Sequence, residues 1–192
     1  MFQELGDNVR APRHQRPCCA LRKRLVGDSR LVEVILRSYR DTDAREVVRL
    51  SLVAWAPVHA SLREVMGDEI FNRLYGDDWR RQQQQDVEDV LTDEEAEVWV
   101  AEVSGGVVGF AAAILRSGSV IGEIHMVAVD PDFQNKGLGS QLTDVATNWM
   151  REQGLSLAFI STGGDVGHAP ARRIYEKAGY TAVPSVNYFK AL

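Results

Sequence analysis

The 192-residue sequence predicts a single mixed α/β domain whose central sheet is mainly antiparallel, and three observations predict it. Residues 124–129 form a short apolar, β-branched run that Asp130-Pro131 stops, after which a glycine-bearing loop passes into helical spacing at Leu138, Leu142, Val145, Ala146 and Trp149. Ahead of it, two apolar runs flank Ser104-Gly105-Gly106, the turn chemistry of a hairpin. Earlier still, between residues 61 and 75, apolar side chains recur at helical intervals. With 45% hydrophobic and 26% charged residues the composition suits one soluble globular core, and no apolar run approaches a membrane span.

Taken in order, residues 34–39 read as a first strand. Asp41-Thr42-Asp43 offers N-caps for a helix through about Trp55, which Pro57 is expected to break. Helical spacing resumes over residues 61–75 with Leu62, Val65, Met66, Ile70, Phe71 and Leu74. Residues 80–91, four glutamines included, are polar on most faces and read as a solvated helix. The hairpin pairs residues 98–103 with 107–115, and a second turn at Ser117-Gly118-Ser119 feeds residues 120–129, so the strands form an antiparallel meander. The next helix ends at Gly154, which suits a left-handed termination. A strand over residues 156–161, a helix over 168–178 closed by Gly179, and a last pair of strands over 181–183 and 186–190, around Pro184-Ser185, complete the list.

Residues 1–31 differ from the rest. Seven basic residues stand there against three acidic ones, while the whole chain carries −5. The stretch lacks the uninterrupted apolar segment of a signal peptide and reads as a poorly ordered basic extension, or as sequence upstream of the natural start, with the domain spanning residues 32–192. A nucleic-acid role has no aromatic-rich partner motif and an acidic body to overcome, so no nucleic-acid partner is expected. The only cysteines, Cys18 and Cys19, are adjacent and the four histidines are scattered. No disulfide and no metal site are expected, which makes a cytoplasmic location the default.

The loop between the strand and its helix carries the first chemistry. Gly137 and Gly139 have no Cβ and leave room for an anion to reach main-chain NH groups at a helix N-terminus, where Lys136 adds a cation and Ser140 a hydroxyl. The spacing is neither GxGxxG with a downstream acid nor GxxxxGK[ST], so dinucleotide and P-loop readings find little support. Residues 127–139 read VAVDPDFQNKGLG and residues 171–180 read ARRIYEKAGY. Together they resemble the two signatures of the GNAT superfamily of acetyl-CoA-dependent N-acetyltransferases, [QR]xxGx[GA] after a strand ending in a V-D-P-like turn and AxxxYxxxGF on a later helix. The resemblance covers roughly residues 32–192 and implies the GNAT fold, with helices on both faces of the sheet.

What the resemblance implies for the site can be written residue by residue. Acetyl-CoA would be the acyl donor, its pyrophosphate held by Gln134, Asn135, Lys136, Gly137, Leu138, Gly139 and Ser140. Relatives splay the organising strand at a bulge, which would place main-chain NH groups around Met126, Val127 and Val129 near the thioester carbonyl. Tyr175 falls where the family aims a phenol at the CoA sulfur, with Ala171 one turn before it. Glu123 stands where some relatives carry a glutamate general base, and His125 shares its face by period-two alternation, as alternative base or orienting partner. A solvated strand end and a core histidine are the plainer readings of the same two residues. Many relatives have Asn where this chain has His168, which leaves a cofactor role for that imidazole open. Trp55, His59 and Trp79 are candidate acceptor contacts from the helices after the first strand, and Asp165 could meet a cationic acceptor or serve the turn.

The expected activity is transfer of the acetyl group to a primary amine of a small molecule or a peptide N-terminus, by direct attack through a tetrahedral intermediate. The competing expectation is a GNAT-like module that holds acyl-CoA as a sensor without turnover. Relatives often pair through their final strands, so a homodimer is also open.

Overall fold

The computed structural model describes residues 21–26 and 31–192. Among these, six strands form one sheet in sequence order: β1 (Leu21–Val26), β2 (Leu31–Ser38), β3 (Ala96–Val103), β4 (Gly106–Ile114), β5 (Ile121–Val129) and β6 (Leu157–Ile160). The first five run antiparallel to their neighbours and β6 runs parallel to β5. A parallel pair needs a crossover, and α3 (Leu138–Glu152) supplies it. The other helices are α1 (Ala44–Tyr75), α2 (Trp79–Thr92) and α4 (Ala169–Lys177).

Local chemistry accounts for the hairpin between β3 and β4. Ser104 and Gly105 both take positive φ, 50° and 84°, as the tight two-residue turn requires. Beyond its first residue β4 is buried throughout, so GVVGFAAAI reads as an apolar run without alternation, because helices cover both of its faces. On one face Leu138, Leu142, Ala146 and Met150 of α3 pack against Val34, Leu36, Ala111, Ala113 and Ile124. On the other, Val47 and Leu50 of α1 with Val87, Val90 and Leu91 of α2 cover Val98, Val100, Phe110, Ala112 and Met126. A mixed α/β sheet with helices on both faces is thus the observed fold.

The start of α1 is tied to the sheet by a buried ion pair. Arg37 of β2 donates from Nη1 and Nη2 to the two carboxylate oxygens of Asp43, at 2.7 and 2.9 Å, and from Nε to Glu102 of β3 at 2.8 Å. Burial opposes the charge of Asp43, yet the Arg37 fork and the backbone NH of Arg40 outweigh it and hold the carboxyl below its ordinary range.

Four expectations change. The helix from Asp41 is not broken at Pro57: α1 continues through it, with the ring on the exposed side, and breaks instead at Gly67, whose φ of 75° and ψ of 160° are far from helical. No strand pair forms at the C-terminus; residues 181–192 have no ladder among the described residues, and Pro184 both lacks a donor and fixes its φ in the middle of two short runs. The N-terminal extension is not wholly separate from the sheet, since Leu21–Val26 runs antiparallel to β2. The first strand itself starts earlier than residue 34, at Leu31. The remainder of that extension, with Cys18 and Cys19, lies outside the described residues. Among the described residues no helix is long and apolar enough to cross a membrane and no cluster of His, Cys, Asp or Glu could hold a metal ion.

Candidate active site

β5 and β6 pair only from Ile121–Leu157 to Ile124–Ile160 and then part. The divergence leaves one edge of the second half of β5 without a strand partner. A cavity of about 460 Å³ opens there, floored by residues 124–129 and walled by α1, the loop after β5 and α4. Met126, Val127 and Val129, expected to present main-chain NH groups, all line it. The bulge expected in the organising strand is present, on the side of β4: Ala112 pairs with Met126 and Ala113 with Ile124, so His125 is the extra residue. His125 therefore lines the cavity beside Met126, and its Nδ1 lies 3.0 Å from Glu123 Oε1. Glu123 does not itself reach the cavity wall; both side chains of this pair are more than a third exposed.

At the far end of β5 the chain turns through Pro131–Phe133 into α3. Gln134 donates from Nε2 to Val129 O at 3.0 Å, which pins the loop to the strand end. Asn135 takes φ 59° and Gly137 φ 82°, and the first intrahelical bond of α3 runs from Gln141 N to Gly137 O. Helix geometry leaves the amides of Leu138, Gly139 and Ser140 without intrahelical partners at this end. Gln134, Asn135, Gly137, Gly139 and Ser140 line the cavity, whereas Leu138 is in the core through its side chain and Lys136 folds back to donate to Asp132 O at 2.7 Å. The two glycines serve different ends. A Cβ at Gly137 would meet nothing closer than 4.0 Å, leaving the amides open to a ligand, but one at Gly139 would lie 2.7 Å from Ile174 Cδ1, so that glycine lets α3 approach α4.

α4 contributes Ala171 and Tyr175 to the opposite wall. The Tyr175 phenol is pushed up to about 12, chiefly by burial, with the neighbouring Tyr180 adding to it. It is neutral at physiological pH and able to donate a hydrogen bond. His168, at the N-terminus of α4, also lines the cavity, and its Nδ1 meets Asp165 Oδ2. Asp165 does not line the cavity; its Oδ1 accepts from Ser61 Oγ of α1 at 2.7 Å and from Gly167 N at 2.9 Å.

Comparison with known proteins agrees with this architecture. Residues 65–180 match the model of the Acetyltransferase (GNAT) family. The chain belongs to the GNAT acetyltransferase family. A mycothiol acetyltransferase from Saccharomonospora viridis is 33% identical over 121 residues, which are 55% of this chain and 39% of that protein. The chain thus spans well under half the length of that relative. Among solved structures, a GNAT-family acetyltransferase from Desulfovibrio desulfuricans superposes with a TM-score of 0.57 at 25% identity, covering 79% of this chain and 87% of the other. The PaiA N-acetyltransferase from Thermoplasma acidophilum, solved in complex with coenzyme A, gives 0.59 at 12% identity, covering 80% and 92%, and shares the fold.

In this GNAT domain the three aromatic acceptor candidates separate. Trp55 lines the cavity and packs against Phe110, with ring centroids 6.3 Å apart. His59 and Trp79 are instead buried against each other, stacked at 4.1 Å where α1 meets α2, and neither lines the cavity. Burial pushes the His59 imidazole down, and Gln83 lies alongside without a hydrogen bond of good geometry, since neither ring nitrogen has one. A smaller cleft of about 260 Å³, lined by Asp86, Asp89 and Asp93 of α2 and its end and by Arg116, meets the main cavity at His125 and Met126. Sequence reasoning missed these aspartates because each lies on a polar helix among many charges. It also missed Ser61 and the pairing of Asp165 with His168, for which the i,i+3 spacing between flanking glycines was the available signal.

Proposed function

We propose that this domain is an acetyl-CoA-dependent N-acetyltransferase acting on a primary amine of a small molecule or a peptide end. The observation that carries the reading is the convergence on one cavity of three features: open amides at the start of α3, an unpaired edge of β5, and the neutral phenol of Tyr175. The residues fit the donor. The Gly137–Gly139 turn would receive its pyrophosphate, and the main chain around Met126, Val127 and Val129 would pair with its extended arm and face the carbonyl oxygen. Acetyl-CoA supplies a thioester that an uncharged amine attacks, forming a tetrahedral adduct that expels thiolate.

Tyr175 meets the sulfur as a hydrogen-bond donor more than as a proton source. A phenol at about 12 gives its proton to a thiolate of ordinary pKa, about 8.5, only at a cost of about 5 kcal/mol. Hydrogen bonding to the developing charge needs no such transfer. His125, whose ring meets Glu123, stands where the acidic cleft meets the cavity, which supports the cleft as the approach for an ammonium group.

Thiol release from acetyl-CoA, measured against polyamines, aminoglycosides, amino acids and peptides, tests this. Amine-dependent release that falls roughly ten- to hundredfold in Tyr175→Phe, the value of a lost hydrogen bond to a charged group, is expected. Tight acetyl-CoA binding with no release for any amine or alternative acyl donor would favour a sensor that binds without turnover.

A further inference from the structure

The main cavity has imidazoles on two walls. His125 belongs to an exposed pair; His168 belongs to a built one. Asp165, only 5% exposed at its side chain, holds His168 Nδ1 with one oxygen and is itself held through the other by Ser61 Oγ and Gly167 N. Ser61 Oγ also accepts from Gly167 N at 3.0 Å, so the loop is sutured to α1. Arg172 closes the same loop by donating to the carbonyls of Gly163 and Asp165 at 2.5 and 2.8 Å.

The glycines of this loop make the pair sterically possible. A Cβ on Gly163 would overlap Asp165 Oδ2 and His168 Nδ1, and one on Gly167 would lie 2.8 Å from Ser61 Cβ. Loop, helix and glycines thus all serve one carboxylate–imidazole contact. Burial alone would raise the Asp165 carboxyl, but hydrogen bonds from Ser61 and His168 outweigh it and hold it below the ordinary range, so the acid stays ionised. An ionised Asp165 fixes the proton on Nδ1 and leaves the lone pair on Nε2, the one ring nitrogen His168 has to offer the cavity.

We propose that His168, oriented by Asp165, is the general base that removes a proton from the acceptor ammonium, with Asp165 and Ser61 as positioning residues. This rests on the transferase reading above. In the step, R–NH3⁺ gives one proton to His168 Nε2, and the freed nitrogen lone pair forms the N–C bond as the carbonyl π pair moves onto oxygen. That pair returns as the C–S bond breaks, and the second proton of the nitrogen neutralises the departing thiolate. His168 then releases its proton to solvent, to which it is 19% exposed. The titratable and charged groups around it are Asp165 on its loop, His59 from α1, His125 from β5 and Arg173, Tyr175 and Lys177 from α4, the last four lining the same cavity, while Tyr75 and Arg172 act on Asp165.

The test compares full-length wild type, His168→Asn, Asp165→Asn and Gly163→Ala. Asparagine at 168 keeps a donor for Asp165 but has no basic nitrogen; alanine at 163 removes no functional group yet occupies the space of the pair. His168→Asn is expected to lower kcat roughly 10²- to 10⁴-fold and to abolish the acid limb of the kcat/KM–pH profile, with CoA affinity by calorimetry unchanged. Gly163→Ala and Asp165→Asn are expected to lower kcat with KM held. Nitrogen-15 shifts of the wild-type imidazole are expected to show the Nδ1–H tautomer. A wild-type acid limb retained in His168→Asn overturns the proposal. So does a loss confined to KM and CoA affinity, which would make His168 a donor contact, or an Nε2–H tautomer. If the wild type turns over no amine while its imidazole shows the Nδ1–H form, the transferase reading has failed and the base assignment falls with it.

Discussion

Removing the Asp43 carboxylate would leave a guanidinium whose side chain is 7% exposed with Glu102 and the Ser38 carbonyl as its remaining partners. Asp43→Ala is expected to cost about 3 kcal/mol in urea unfolding, the lower end of the penalty for breaking a buried pair, because Glu102 still compensates the charge of Arg37. Gly139 poses a packing question. An added methyl would sit 2.7 Å from Ile174 Cδ1, the flexible end of a side chain, so Gly139→Ala is expected to cost only about 1 kcal/mol and to be relieved by Ile174→Val. At this scale the loop glycines, Tyr175 and His125 were legible because each sits in a short pattern with its own chemistry. The Asp165–His168 contact was not, since each residue alone has an ordinary explanation and only the fold of the loop against Ser61 makes them one unit.

Among the elements, those whose signals are local were read well: the hairpin at Ser104-Gly105, the strand ending at Asp130-Pro131 and the existence of α2, although α2 is not simply solvated, since Val87, Val90 and Leu91 pack into the core. Errors came where tertiary context overrides propensity. Pro57 lies inside α1 because the packing of Val47 and Leu50 before it and of His59 after it outweighs the hydrogen bond that proline cannot make. The break falls on Gly67, where a positive φ paired with extended ψ admits glycine and strains other residues. Gly67→Ala is expected to lower stability by about 1–3 kcal/mol in the same unfolding measurement, with acetyl-CoA affinity kept. The C-terminal strands failed for the opposite reason: residues 181–192 have the alternation of a strand, but ladder formation needs a partner, and alternation says nothing of one.

For the molecule as a whole, acid should be destabilising in a defined direction. Asp43 and Asp165 both have folded-state values depressed below that of a free carboxylate, so their contribution is fully present above the unfolded value, near 3.8, and is lost as pH falls through the depressed folded values. Burial also holds the His59 imidazole below 6.5 in the folded state, so the unfolded chain takes up that proton first; thermal melts are expected to begin falling as pH drops below about 6.5 and to fall steeply below about pH 4, with a shallower slope at the acid end in Asp43→Asn.

The last strand of the sheet has a consequence for handling the protein. Among the described residues nothing pairs with the outer edge of β6, and Leu157 and Phe159 on it are about half exposed, as is Phe189 in the tail. Such an edge is a template for another strand, and a second molecule becomes the more available source of one as the solution is concentrated. Sedimentation is expected to show mass rising with protein concentration and little response to salt, with Phe159→Lys holding the monomer. Dilution, rather than a change of buffer, would then be the remedy for a preparation that clouds.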